Sequence, residues 1–272
     1  MLQKTVMVPT TLDCNVPVDL YVPETCRFVD PDIRRPAVVV VPGGGYSHLG
    51  EREMETIAMR FMAHGFNAFV VRYRFAPYRL PAPQQDVAAA MGYIRAHAAE
   101  LHTDPNRIAL IGFSAGGHLA GFLGVQWQNA DLWAPLGLTP EDVKPNALVL
   151  SYGVLTYGEF AETSSYEYLT GSTDPKVHEE VSVVKHVSEK CPPTFLWAPF
   201  NDTVVPVENT LEMAMALSRY KIHTEVHIYP EGLHGAALCN EQCAGVINPQ
   251  YDLPELQGWP ELAVKFLKKY MK

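Results

Sequence analysis

The segment Gly112-Phe113-Ser114-Ala115-Gly116 sets a serine between glycines, after the apolar run Arg107–Ile111 and before the helix-forming stretch Ala115–Val125. A serine on a tight strand-to-helix turn is pushed out of its sheet, and only glycine leaves room beside it. A serine hydroxyl is a poor nucleophile until a base takes its proton, and that base must be held in one tautomer by an acid. For a serine on such a turn, the expected order along the chain is Ser, then Asp or Glu, then His. Asp202 fits the acid. It lies in Phe200-Asn201-Asp202-Thr203-Val204-Val205-Pro206, just after the predicted strand Thr194–Ala198, with a turn or cap residue as its plain reading. Among ten histidines, His234 fits the base, because Gly232-Leu233-His234-Gly235 directly follows the last predicted strand. His118, close behind Ser114 on the following helix, reads as a packing or supporting residue.

Acyl transfer also needs donors where negative charge develops. Pro42-Gly43-Gly44-Gly45-Tyr46 follows the predicted strand Ala37–Val41, so its amides can approach a carbonyl without side chains in the way. A further donor is the Ala115 amide, at the positive start of the helix. The triple glycine is not a phosphate loop, since no Gly-Lys-Ser/Thr follows and the G-x-G-x-x-G spacing is absent. Tyr46 has two open readings, a wall of the acyl pocket or a packing residue. Arg74, Tyr152, Tyr157 and Trp197, near strand ends, read as structural, and Asp86 as a capping or salt-bridge carboxylate.

These residues require a scaffold of alternating strands and helices. Lys4–Val8 and Val18–Val22, around turn signals at Thr11–Asn15, predict an antiparallel hairpin. Ala37–Val41 is apolar throughout, as a strand covered on both faces should be. Further strands are expected at Ala68–Val71, Arg107–Ile111, Ala147–Leu150, Thr194–Ala198 and Glu225–Tyr229. Helices are expected over Glu51–His64 (stopped by Gly65), Gln84–Glu100 and Val207–Tyr220. A last helix carries the stripe Trp259, Leu262, Ala263, Phe266, Leu267 and Tyr270. About eight strands with helical crossovers imply a doubly wound, mostly parallel α/β sheet in one domain over 1–272. Two segments, 126–145 and 152–193, break the alternation. Both are expected at the carboxyl edge of the sheet as a partial cap, where ligands bind in such folds.

Composition narrows the function classes. The chain of 272 residues is 47% hydrophobic and 19% charged, globular values, and its net charge of −9 argues against a nucleic-acid partner. Five cysteines show no metal-ligand spacing and read as free thiols in a reducing compartment. The start Met1–Thr5 lacks an apolar targeting core and no run approaches membrane-spanning length. The expectation is a soluble cytoplasmic protein without a membrane partner, metal or cofactor.

At this point the chain resembles the α/β-hydrolase superfamily. The resemblance rests on Gly43-Gly44-Gly45-Tyr46, Gly112–His118, the Asp202–Pro206 loop and Gly232–Gly235, in that order, with Tyr73-Arg74 and Pro81–Asp86 in support. Within the superfamily it is similar to small esterases of the acetylxylan or feruloyl esterase-like and hormone-sensitive-lipase-like groups. The resemblance implies Ser114, Asp202 and His234 as the triad, and Gly44, Gly45 and Ala115 as oxyanion donors. Pro42 stands where the lipase branch usually has histidine, which leans toward the carbohydrate-esterase-like branch. The expected activity is cofactor-independent removal of short acyl groups, acetyl first, from a small ester such as an acylated sugar. An amide hydrolase (an arylformamidase or small peptidase) would use the same machinery. A non-catalytic binding module would require a missing triad member, and none is missing.

Overall fold

The computed structural model of the chain describes residues 1–10 and 14–271, so residues 11–13 of the predicted hairpin turn lie outside the described residues. Its strands are β1 (Leu2–Pro9), β2 (Asn15–Val22), β3 (Arg35–Val41), β4 (Asn67–Val71), β5 (Thr103–Phe113), β6 (Ala147–Ser151), β7 (Thr194–Pro199) and β8 (Thr224–Tyr229). They form one eight-stranded sheet in the order β1-β2-β4-β3-β5-β6-β7-β8. β1 and β2 pair antiparallel, as do β2 and β4, and every later pairing is parallel. The expected mostly parallel α/β sheet is what the chain builds.

The apolar run of β3 explains the layering. Ala37, Val39 and Val41 enter one core, while Val38 and Val40 enter the other. The helices of eight residues or more are α1 (Glu55–Met62), α2 (Ala82–Ala96), α3 (Ala115–Gln126), α4 (Thr163–Thr170), α5 (Glu208–Arg219) and α6 (Trp259–Tyr270). α2, α3 and α5 bury residues on the first face, and α1 and α6 on the second. α6 delivers Trp259, Ala263, Phe266 and Leu267 to the core and leaves Lys265, Lys268 and Lys269 exposed. No helix among the described residues is long and apolar enough to cross a membrane.

Two expectations are corrected. The helix expected over Glu51–His64 is divided into a 3-10 turn at Glu51–Glu53 and α1, with Met54 between them at φ −107° and ψ −102°. The interruption lets Glu53 turn inward, where its carboxylate accepts the Gly43 N–H at 2.7 Å. The second correction concerns 126–145, which does not lie at the carboxyl edge. It follows α3, and a crossover helix runs antiparallel to its strand, so the chain leaves Gln126 at the amino edge. There Arg95 at the end of α2 donates to the Lys144 carbonyl at 2.8 Å, and Asn146 N–H donates to the Ile108 carbonyl at 2.8 Å. The segment 152–193 follows β6 directly and begins at the carboxyl edge, where its Val154 N–H donates to the Ser114 carbonyl at 3.1 Å, and it ends at the amino edge, where the Pro193 carbonyl accepts the Leu148 N–H at 2.9 Å.

Candidate active site

β5 ends at Phe113, and Ser114 turns at φ 52° and ψ −122°. Positive φ in a non-glycine residue is strained and persists only where its surroundings enforce it. The enforcement is visible: Ser114 N–H donates to the Ser151 carbonyl at 3.0 Å, and the close approach of α3 leaves no room for side chains. A Cβ on Gly112 would lie 2.3 Å from the Gly116 carbonyl oxygen, and one on Gly116 would lie 2.2 Å from the Val41 carbonyl oxygen.

Two other loops of the carboxyl edge bring the remaining groups to this serine. His234, after β8, places Nε2 at 2.8 Å from Ser114 Oγ and Nδ1 at 2.7 Å from Asp202 Oδ2. Asp202, after β7, uses its other oxygen to accept the N–H groups of Val204 at 2.9 Å and Val205 at 3.0 Å. The turn contacts of its plain reading and the imidazole contact therefore coexist, one on each oxygen. Asn201 Oδ1 also accepts the Gly232 N–H at 2.9 Å, which ties the two loops together. A carboxylate only accepts, so Nδ1 carries the imidazole proton and Nε2 offers its lone pair to the serine hydroxyl. The Asp202 side chain is fully buried, whereas that of His234 keeps 15% exposure.

The glycine loop passes the serine on its other flank. Gly43 comes so near that a Cβ there would lie 2.9 Å from Ser114 Cβ. Gly44 and Gly45 adopt φ values of 116° and 60°, and they line a cavity of about 820 Å³ together with Ser114 and His234. Among the described residues, neither amide has a hydrogen-bond acceptor. Ala115, as the first residue of α3, has no intrahelical partner for its N–H. Preorganised donors of this kind can hold charge on an oxygen bound beside the serine.

A protein-family model described as BD-FAE matches residues 18–217. The chain belongs to the BD-FAE family. It is 34% identical over 221 residues to endo-1,4-beta-xylanase B of Butyrivibrio fibrisolvens, covering 78% of the chain and 34% of that protein. It is 31% identical over 206 residues to an acetylxylan esterase of Xylanibacter ruminicola, covering 73% of the chain and 40% of that protein. The chain thus spans between 34% and 40% of the length of these two curated relatives. Among solved structures, an acetyl ester-xyloside bifunctional hydrolase from Caldicellulosiruptor lactoaceticus matches with a TM-score of 0.79 at 34% identity, over 94% of this chain and 89% of that one. A carboxylesterase from Lactobacillus plantarum WCFS1 matches with a TM-score of 0.88 at 25% identity, over 99% and 98% of the two chains. The fold is that of the α/β hydrolases.

In this BD-FAE chain, α4 supplies one wall of the cavity. Glu162 caps it, accepting the N–H groups of Ser164 at 3.1 Å and Ser165 at 3.0 Å. Ser165 is 1% exposed and lines the cavity, yet its hydroxyl has no partner among the described residues. Tyr168 and Tyr251 add aromatic surface to the same cavity. The sequence pointed to 152–193 as a segment at the carboxyl edge, which holds for its first part, but singled out none of these residues, because no motif spacing marks them.

Tyr46 does not line the cavity. It is 1% exposed, and its hydroxyl meets His118 Nδ1 at 2.7 Å. Of its two readings, packing is the one the structure carries. His118 Nε2 lies 2.8 Å from the Val181 carbonyl, so Nε2 holds the proton and Nδ1 accepts from Tyr46. Burial pushes the His118 pKa down to about 4 and keeps the ring neutral. Asp86 is buried in an ion pair with Arg74, whose Nη2 approaches at 2.7 Å. Trp197 donates from Nε1 to Ser151 Oγ at 2.7 Å inside the core. Tyr152 is more than structural filling. Its ring stands edge-on to that of His234 at 5.0 Å, and its hydroxyl donates to Glu53 Oε1 at 2.7 Å. Neither this contact nor the inward turn of Glu53 was legible in a run reading Glu51-Arg52-Glu53-Met54-Glu55. Among the described residues, no group of three or more His, Cys, Asp or Glu side chains could hold a metal ion.

Proposed function

We propose that the chain is a serine carboxylesterase that removes short acyl groups, acetyl first, from small esters carried on carbohydrates. The observation that supports this most directly is the hydrogen-bond chain Ser114–His234–Asp202, at 2.8 and 2.7 Å, opening on a cavity lined by Gly44 and Gly45. His234 takes the Ser114 proton as Oγ bonds to the acyl carbon. The carbonyl oxygen gains the charge and accepts from the Gly44, Gly45 and Ala115 amides, each donor being worth roughly 100- to 1000-fold in turnover. Asp202 holds the imidazolium in place. The ester C–O bond then breaks as His234 returns the proton to the leaving alcohol, and water repeats the sequence on the acyl-serine to release the acid.

The carbohydrate part of the proposal draws on the named activities of the relatives and on the cavity wall. Glu162 and Ser165 offer groups suited to sugar hydroxyls, and Tyr168 and Tyr251 offer flat surface suited to a pyranose face. Initial rates on p-nitrophenyl acetate, butyrate and octanoate, with Ser114→Ala in parallel, test the reaction. Rates that fall with chain length and vanish in the variant support it, and acetylated xylo-oligosaccharides then test the alcohol. Ser114-dependent cleavage of anilides without ester cleavage would replace it with an amide hydrolase. As a location we propose the cytoplasm, on the strength of five free thiols, and cell fractionation checks it.

A further inference from the structure

Glu53 is a carboxylate 4% exposed, and both its oxygens are engaged with opposite sides of the candidate site. Oε2 accepts the Gly43 N–H at 2.7 Å, at the root of the glycine loop. Oε1 accepts the Tyr152 hydroxyl at 2.7 Å. The Tyr152 oxygen in turn accepts the Ala237 N–H at 3.0 Å, in the loop that carries His234. Counting protons fixes the directions. Ala237 N–H occupies the phenol oxygen as donor, so the phenol proton points to Glu53, and among the described residues Gly43 supplies the other donor to the carboxylate. Both carboxylate oxygens are acceptors, and no proton is needed on either.

We propose that Glu53 is a positioning residue that locks the glycine loop and the His234 loop into one frame and sets a second buried anion behind the imidazole. This inference rests on the esterase reading of the site. Glu53 ends the short 3-10 turn just before the interruption at Met54, and its side chain is buried there. The groups facing Glu53 are Tyr152, Tyr73, Arg52, Cys243 and His234, and those facing His234 are Asp202, Tyr152, Ser114 and Glu53. Burial raises the pKa of Tyr152, Tyr73 and Cys243, which keeps them neutral, and Arg52 extends over the Tyr251 ring at 4.1 Å. Asp202 meets the imidazole directly, and Glu53 stands behind Tyr152, whose ring lies on His234. Burial also pushes Glu53 upward, while the Tyr152 and Gly43 hydrogen bonds act to hold it ionised.

Glu53→Gln tests this, because the amide keeps the shape and removes the charge. One of its two groups is then mismatched, since the amide nitrogen cannot accept from Gly43 or from Tyr152. On p-nitrophenyl acetate, kcat should fall about 10- to 100-fold with KM within about twofold, a smaller loss than removal of an oxyanion donor. The acid limb of kcat should move to lower pH, because an imidazolium that has lost a neighbouring anion gives up its proton more easily. A purely structural role would not move that limb. NMR titration of His234 provides the same readout without turnover, with its midpoint expected at lower pH in Glu53→Gln. Tyr152→Phe keeps the ring on His234 and the Glu53 charge but cuts the link between the loops, so it should reproduce the loss of kcat without moving the His234 midpoint; should Glu53→Gln not fold, a folded Tyr152→Phe with unchanged kcat overturns the proposal. A folded Glu53→Gln with unchanged kcat and an unshifted His234 titration overturns the proposal. If Ser114→Ala retains wild-type turnover, the esterase reading falls instead, and the NMR midpoint still decides the role of Glu53.

Discussion

Two histidines sit on either side of the elbow in nearly the same hydrogen-bond pattern. His234 stands between Ser114 and Asp202, and His118 stands between Tyr46 and the Val181 carbonyl. Each accepts from a hydroxyl with one nitrogen and donates to an oxygen with the other. They differ in the charge of that oxygen and in access. His234 donates to a carboxylate and keeps 15% of its side chain exposed beside a cavity, whereas His118 donates to a neutral carbonyl and is 1% exposed. If His234 is the base we propose, a hydroxyl–imidazole–oxygen chain is not by itself what makes one. The imidazolium must be stabilised when it forms, and the hydroxyl must be reachable.

That comparison can be broken most directly at the charged oxygen. Asp202→Asn makes the His234 partner resemble the neutral partner of His118, and kcat should drop about 10⁴-fold while the melting temperature changes little. Retention of near wild-type kcat would show that the anion is not what separates the two histidines. The reverse side of the comparison appears in stability against pH. The His118 pKa lies at about 4 in the folded chain against 6.5 as its usual value. Between those values the unfolded chain binds the extra proton, so stability is fully present above about pH 6.5 and falls as pH drops toward 4, by up to about 3 kcal/mol. Urea midpoints measured from pH 7 to pH 4.5 should show this decline, and His118→Gln should flatten it.

Tyr46→Phe sharpens the comparison at a smaller scale. It leaves His118 Nδ1 buried without its donor, at a cost of about 1–3 kcal/mol in stability, with kcat within about threefold of wild type. A loss of activity at unchanged stability would instead place Tyr46 in the site. The smallest expected effect is at Ser165. Removing a buried hydroxyl without a partner leaves folding unharmed, so Ser165→Ala should match or exceed wild-type melting temperature while raising KM for an acetylated sugar about threefold. An unchanged KM would separate this hydroxyl from substrate binding.

The comparison also shows what a sequence can carry. Ser114, Asp202 and His234 were legible because each sits at a strand end with its own punctuation: glycines around the serine, a turn after β7, glycines around His234. The sheet was legible because runs such as Ala37–Val41 allow few alternatives. The two long inserted segments looked alike in composition, and their positions were not equally legible. The segment 152–193 leaves a strand and so begins at the carboxyl edge before it returns to start β7, whereas 126–145 leaves a helix and so begins at the amino edge. Composition does not distinguish those two cases, but the direction of the preceding element does.

Local chemistry, then, determined by sequence alone the alternating elements, the parallel sheet and the three residues that converge on the elbow, because each depends on side-chain type and spacing along a few residues. Tertiary structure alone decided that Glu53 turns inward to meet Gly43 and Tyr152, that Tyr46 packs on His118 away from the cavity, and that Ser165 lines the cavity with a buried hydroxyl that has no partner among the described residues. Those outcomes depend on which surfaces meet across 10 residues in one case and 99 in another, and on which polar groups the meeting leaves to satisfy. No window of sequence contains that information, because it is a property of the burial and not of the residue.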